Sequence, residues 1–115
     1  MGQIDLLEIE VLLNLLKAKL PIYGIVFENR EKNTQALLQL GITPIQRKEH
    51  IKQLSPKNYI SGPLKDQFGG KPLWVFGKII AGQEVYIKVQ INQRNKPVIC
   101  ISFHLAEYPL NFHFK

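Results

Sequence analysis

Tyr86, Lys88, Ser102 and His104 fall at alternate positions in two apolar, β-branched segments, Gln83–Ile91 and Pro97–Phe103 with His104 directly after. In an extended chain every second side chain points the same way. The first segment therefore puts Val85, Ile87, Val89 and Ile91 on one face and Glu84, Tyr86, Lys88 and Gln90 on the other. Matching Ile99, Ile101 and Phe103 to the apolar face turns Ser102 and His104 toward Tyr86 and Lys88. An imidazole exchanges protons near neutral pH, an ammonium neutralises phosphate, and a phenol donates to it or shuttles a proton. Such a set suits cleavage of a ribose phosphodiester by its own 2′-hydroxyl. A base takes the hydroxyl proton, an acid protonates the leaving 5′-oxygen, and fixed positive charge holds the crowded phosphorane. Tyr86, Lys88 and His104 are the catalytic candidates. The plainer alternative is an antiparallel sheet that wets one face with ordinary polar side chains.

Lys65, Lys78, Ser102 and Glu107 are candidates for holding a polyanionic substrate around that set. Lys65 sits in the Gly- and Pro-rich stretch 61–72, the longest loop in the pattern, from which it would close over the scissile phosphate. Glu107 is placed to orient His104, with a solvated surface acid as the simpler reading. A net charge of +6 on 115 residues favours RNA, DNA or a strongly acidic protein as partner, although solubility alone also accounts for such a charge.

Other chemistries find less support. His50, His104 and His113 are far apart, H-E-x-x-H and C-x-x-C pairs are absent, and a Glu107–His104 pair lacks an evident third ligand. No P-loop, dinucleotide fingerprint or nucleophile elbow occurs, and Gly69-Gly70 stands alone. Neither a metal nor another cofactor is expected. The single cysteine, Cys100, lies in the apolar run 98–101, which reads as a buried thiol rather than a nucleophile. Acids follow Met1 where a signal peptide carries Lys or Arg, and Leu6 stands where a myristoylation motif wants Ser or Thr. No apolar stretch is long enough to span a bilayer, so the cytoplasm is the expected compartment.

The elements that must position these residues are legible in outline. Residues 3–20 form an amphipathic helix, with Leu6, Ile9, Leu13, Leu16 and Leu20 in steps of three and four and Pro21 as its stop. Residues 22–27 read as a strand, 28–33 as a charged turn, and 34–40 as a short helix closed by Gly41. Thr43-Pro44 opens a helix running to about Leu54, with Ile45, Ile51 and Leu54 inward and Arg47, Lys48 and Lys52 outward. One further turn at Ser55-Pro56 precedes the loop. Three strands follow, 73–80, 83–91 and 97–103, joined at Ala81-Gly82 and 92–96. A tight first hairpin sets Phe76 opposite Ile87 and Trp74 opposite Val89, with Val75 beside Lys88 and Gly77 beside Tyr86. The pattern describes one domain over residues 1–115, of α+β class, with N-terminal helices packed on an antiparallel sheet.

Three groups of residues give the chain a likeness. Ala36-Leu37-Leu38 is followed by Leu40-Gly41-Ile42, then by a helix closing on Leu54-Ser55 and by Tyr59; Trp74 enters the first long strand; and residues 82–88, GQEVYIK, precede 98–103, VICISF. In their order and spacing, from about Thr34 to Phe103, these resemble the MqsR-type toxins, small relatives of the RelE-like mRNA interferases. The resemblance implies a RelE-like microbial ribonuclease toxin fold, endonucleolytic cleavage of mRNA that halts translation, and neutralisation by a cognate antitoxin that is often a DNA-binding repressor. It assigns the family's sheet tyrosine to Tyr86. His104 takes the place of a lysine after Ser-Phe, and histidine at such a place is familiar in other RelE-like nucleases. Ser61 replaces a family lysine, leaving Lys57 or Lys65 as its substitute, and Val75 replaces a glutamine beside Trp74. The tail from residue 105 onward extends beyond the family pattern, and the leucines of the first helix are assigned to packing on the sheet.

Three readings of function follow: a metal-independent endoribonuclease, a non-catalytic module that binds RNA or an acidic protein with the same basic face, and a purely structural partner protein that does neither. Trp74 and Phe76 point inward, so the aromatic display of an RRM- or OB-like binder is missing.

Overall fold

The computed structural model describes residues 4–66 and 70–114. The expectations for Met1-Gly2-Gln3 and for Gln67-Phe68-Gly69 of the long loop lie outside the described residues. Asp5 opens the first helix, α1 (Leu6–Tyr23), through a reciprocal capping box: its carboxylate accepts from the Glu8 N–H at 2.9 Å, and the Glu8 carboxylate accepts from the Asp5 N–H at 3.3 Å. The helix runs past Pro21, where the sequence pattern ends it. A proline in the last turn forfeits a single rung, and Gly24, at φ 76°, finishes the turn by donating to the Leu20 and Lys19 carbonyls. Strand β1 is consequently only Ile25–Phe27.

Helix α2 (Glu31–Leu40) begins three residues before Thr34, with Glu31 favourably placed against the N-terminal dipole. It ends at Gly41 in the left-handed conformation, φ 67°, as Gly41 in the sequence implies. Thr43 and Gln46 cap α3 (Pro44–Lys52) reciprocally, and Pro44 takes the first helical position. Ile51 and Leu54 are buried, but Ile45 is 79% exposed. Arg47 takes the inward place instead, its guanidinium 3.7 Å from the centroid of the Phe27 ring. The exchange is physically reasonable, because a planar, weakly hydrated guanidinium stacks well on an aromatic face.

A short 3-10 turn (Pro56–Asn58) leads into β2 (Tyr59–Leu64), followed by β3 (Leu73–Ile80), β4 (Gln83–Gln90) and β5 (Val98–Leu105). The sheet order is β1-β5-β4-β3-β2, with β1 parallel to β5 and the other pairs antiparallel. The sheet is therefore mixed rather than wholly antiparallel, because α2 and α3 carry the chain away after β1. Strand β2 occupies the first part of the expected loop. Its Ser-Gly-Pro composition hides the strand signal, and its register with β3 shifts twice, as an edge strand tolerates. Gly62, at φ 132°, lies so close to β3 that an added Cβ would stand 3.0 Å from the Leu73 carbonyl oxygen.

The β3–β4 register matches the hairpin argument: Trp74 faces Val89, Phe76 faces Ile87, Val75 faces Lys88 and Gly77 faces Tyr86. Between β4 and β5, Tyr86 faces His104 and Lys88 faces Ser102, but the next pair is Val89 with Cys100. Ile101 is thus an extra residue, a bulge, and it inverts the alternation on its N-terminal side. Val98 and Cys100 enter the core, while Ile99 and Ile101, assigned to it by strict alternation, are only partly buried. Asn33 fastens the bulge from α2. Its amide donates to the Ile101 and Glu28 carbonyls, each at 3.0 Å, and its side-chain oxygen accepts from the Phe103 N–H at 2.9 Å.

The core between helices and sheet is built from Ile9, Leu13, Leu16, Ile51, Phe76, Val85, Ile87 and Phe103, among others. Lys19 is buried at its margin, its ammonium donating to the Ile91 carbonyl at 2.7 Å and the Gln93 carbonyl at 2.5 Å. On the opposite face of the sheet the C-terminal tail folds back. The His113 N–H donates to the Tyr59 carbonyl at 3.0 Å, and Leu110 closes over Gly77, where an added Cβ would approach its Cδ1 to 2.6 Å.

Candidate active site

The paired strands β4 and β5 and the tail together make the site. Ser102 and His104 emerge on the same face as Lys88 and Tyr86, on paired strands, because the alternation C-terminal to the Ile101 bulge is unbroken. The Tyr86 and His104 rings stack, with centroids 5.4 Å apart and planes 22° from parallel. The Lys88 ammonium lies 5.9 Å from the Tyr86 ring centroid. These four residues line a cleft of about 480 Å³, which Arg30 at the start of α2 and Glu107 to Asn111 of the tail complete. The tail, which the likeness leaves unassigned, supplies one wall.

His104 Nδ1 lies 2.9 Å from the Leu105 carbonyl oxygen. A carbonyl can only accept, so Nδ1 carries the hydrogen in this contact, and the neutral ring keeps a bare lone pair on Nε2. That fixes which nitrogen can take a proton. Burial pushes the Tyr86 phenol above its ordinary range, so it stays protonated and able to donate. Ser102 is buried beside Lys88.

The remaining candidates separate. Glu107 lines the cleft, but its carboxylate is bound 2.9 Å from the Lys32 ammonium. The hydrogen bond and charge of Lys32 hold its carboxyl below the usual range. It pairs with α2 rather than orienting His104. Lys78 points to the helix side of the sheet, where its ammonium meets His50 Nδ1 at 2.7 Å and the Gln53 side-chain oxygen at 2.8 Å. Its partner across the strands, Val85, is a core residue, and that register turns Lys78 away from the cleft. Lys57 is exposed on the 3-10 turn, and Lys65 is exposed beyond β2 beside a separate shallow depression; neither lines the cleft. Cys100 is fully buried, its thiol pushed up to about 12 chiefly by that burial, and is no nucleophile.

Arg30, Tyr108 and Asn111 are cleft residues that periodicity does not reveal. Arg30 precedes a helix whose start the charged run conceals, and its guanidinium pairs with Glu28 at 2.9 Å. Tyr108 and Asn111 belong to an irregular tail. The one available signal was compositional: aromatic and amide side chains in a segment without a strand pattern.

Among the described residues no three His, Cys, Asp or Glu side chains gather as a metal site, and no helix is long and apolar enough to cross a membrane. Comparison of the chain with protein-family models, with curated proteins and with solved structures finds no match.

Proposed function

We propose that the chain is a metal-independent endoribonuclease that cleaves mRNA as the toxin of a type II toxin–antitoxin pair. The observation that carries the chemistry is the stacked Tyr86–His104 pair, with Nε2 bare and Lys88 alongside. In this reading His104 Nε2 takes the proton of the 2′-hydroxyl, whose oxygen attacks the adjacent phosphorus. The Lys88 ammonium balances the phosphorane charge, and the Tyr86 phenol passes its proton to the departing 5′-oxygen. The products are a 2′,3′-cyclic phosphate and a 5′-hydroxyl. A proton returning from His104 to Tyr86 through solvent restores both groups. Arg30 and Tyr108 serve the flanking nucleotides, one by charge and the other by stacking.

The toxin role, the cognate antitoxin with its DNA-binding repressor character, the RelE-like version of the α+β fold and a cytoplasmic site of action rest on the sequence resemblance. The basic charge and the sheet-face cleft are compatible with all of them. The test is incubation with a long single-stranded RNA in EDTA, native chain beside His104→Ala. Cleavage to cyclic-phosphate ends, reduced about 100-fold or more in the variant, is expected. RNA binding with no cleavage by the native chain would instead identify the non-catalytic module.

A further inference from the structure

We propose that the outward face of α1 is a self-association surface, through which two copies of this chain pair with their first helices antiparallel. One face of α1 is already spent: Ile9, Leu12, Leu13, Leu16 and Leu20 are buried in the core. Its outward face is apolar as well. Leu7 is 67% exposed, Val11 60% and Ile22 71%, and Leu15 and Ala18 are exposed with them. A surface helix ordinarily turns charge to solvent, and here the exposed apolar side chains outnumber the exposed charges Glu8, Glu10 and Lys17. The spacing of the outward residues matches a helix seam rather than a flat patch, because Leu7, Val11, Asn14 and Ala18 advance by four, three and four.

The flanking charges choose the occupant. Immediately before the seam positions Val11 and Ala18 stand Glu10 and Lys17, both exposed and both on one flank. When two copies of this helix run antiparallel, like flanks meet. Leu7 then packs against the small Ala18 of the partner subunit, and Glu10 falls between the same layers as Lys17 of the partner subunit. The two-fold axis repeats each contact. In a parallel pair the charged flank would instead meet Leu15 and Ile22, with no opposite charge to satisfy it. The seam is therefore self-complementary in one orientation only, as an isologous dimer requires. Asn14 sets the register at some cost in affinity. Since α1 covers the core face of the sheet, pairing through it leaves both clefts open. This inference does not depend on the ribonuclease reading.

The full chain, followed by sedimentation equilibrium from about 1 to 200 µM, is expected to show a reversible dimer. Glu10→Lys and Lys17→Glu alone each replace two attractions by two repulsions and are expected to weaken the dimer about fivefold to tenfold. The double variant Glu10→Lys/Lys17→Glu is expected to restore it. Both substitutions are at exposed positions, and an unchanged thermal transition of all three variants checks the fold. A chain that stays monomeric throughout overturns the proposal and leaves the stripe to a different protein. So does a dimer that ignores both single changes, or one that the double change does not rescue.

Discussion

His104 owes its place in the proposed chemistry to one contact, the hydrogen bond from Nδ1 to the Leu105 carbonyl. Its neighbour Lys88 holds its ammonium 5.9 Å from the Tyr86 ring centroid, whereas Lys78 is engaged on the other side of the sheet. Lys88→Ala is therefore expected to lower RNA cleavage by at least tenfold, while Lys78→Ala, Lys57→Ala and Lys65→Ala leave it within about twofold. A single-turnover assay at saturating enzyme separates the two groups. The Lys78–His50 contact has its own consequence. Burial and then the Lys78 charge hold the His50 imidazole below the ordinary value of 6.5. On acidification the unfolded chain takes up this proton first, so stability falls as pH drops from 6.5 toward the lower folded value. Urea midpoints measured across that interval should show the decline in the native chain and a shallower one in His50→Gln.

At the scale of elements the decisive feature is the bulge at Ile101 and the asparagine that fastens it. Asn33→Leu removes hydrogen bonds to two carbonyls and one N–H, and is expected to cost about 2–3 kcal/mol in urea unfolding because buried backbone groups lose their partners. It should also loosen the His104 register and lower cleavage more than the stability loss alone explains. The same feature shows what the residue pattern carried and where it stopped. The β3–β4 hairpin was legible because Val85, Ile87 and Val89 alternate without interruption, and Ala81-Gly82 closes a two-residue turn. Tyr86, Lys88, Ser102 and His104 were rightly grouped because the residues C-terminal to the bulge keep that alternation. The placement of Ile99 and Ile101 failed, since both possible faces, Val98 with Cys100 or Ile99 with Ile101, are apolar and only a long-range partner decides between them. Asn33 looked like turn chemistry, as asparagine usually does. Strand β2 escaped notice because its pairing comes from β3 and not from its own composition.

For the whole molecule, the helices occupy one face of the sheet and the cleft the other, with the tail as its wall. The net charge is +6, and among the described residues Arg30 and Lys88 are the lysine or arginine side chains that line the cleft. If two to three phosphates are neutralised on binding, the logarithm of RNA affinity should fall with the logarithm of salt at a slope of about −1.5 to −2. A much steeper slope would mean that the dispersed lysines, rather than the cleft, hold the RNA. Gly77→Val should act at this scale too. Its side chain meets the ends of the Leu110 and Ile60 side chains, which must shift, and it stands across the strands from Tyr86, so a lower RNA cleavage rate in the single-turnover assay is expected.

Lys19 offers a different use of the same architecture. Among the described residues its amine is the lysine nitrogen tied to two backbone carbonyls, at the margin of the core where α1 meets the chain just after β4. An acylating reagent that modifies the exposed lysines within minutes can reach this nitrogen only when that junction parts. The rate at which Lys19 acquires label, read by peptide mass, is thus a clock for local opening, one that runs in the folded protein and needs no denaturant.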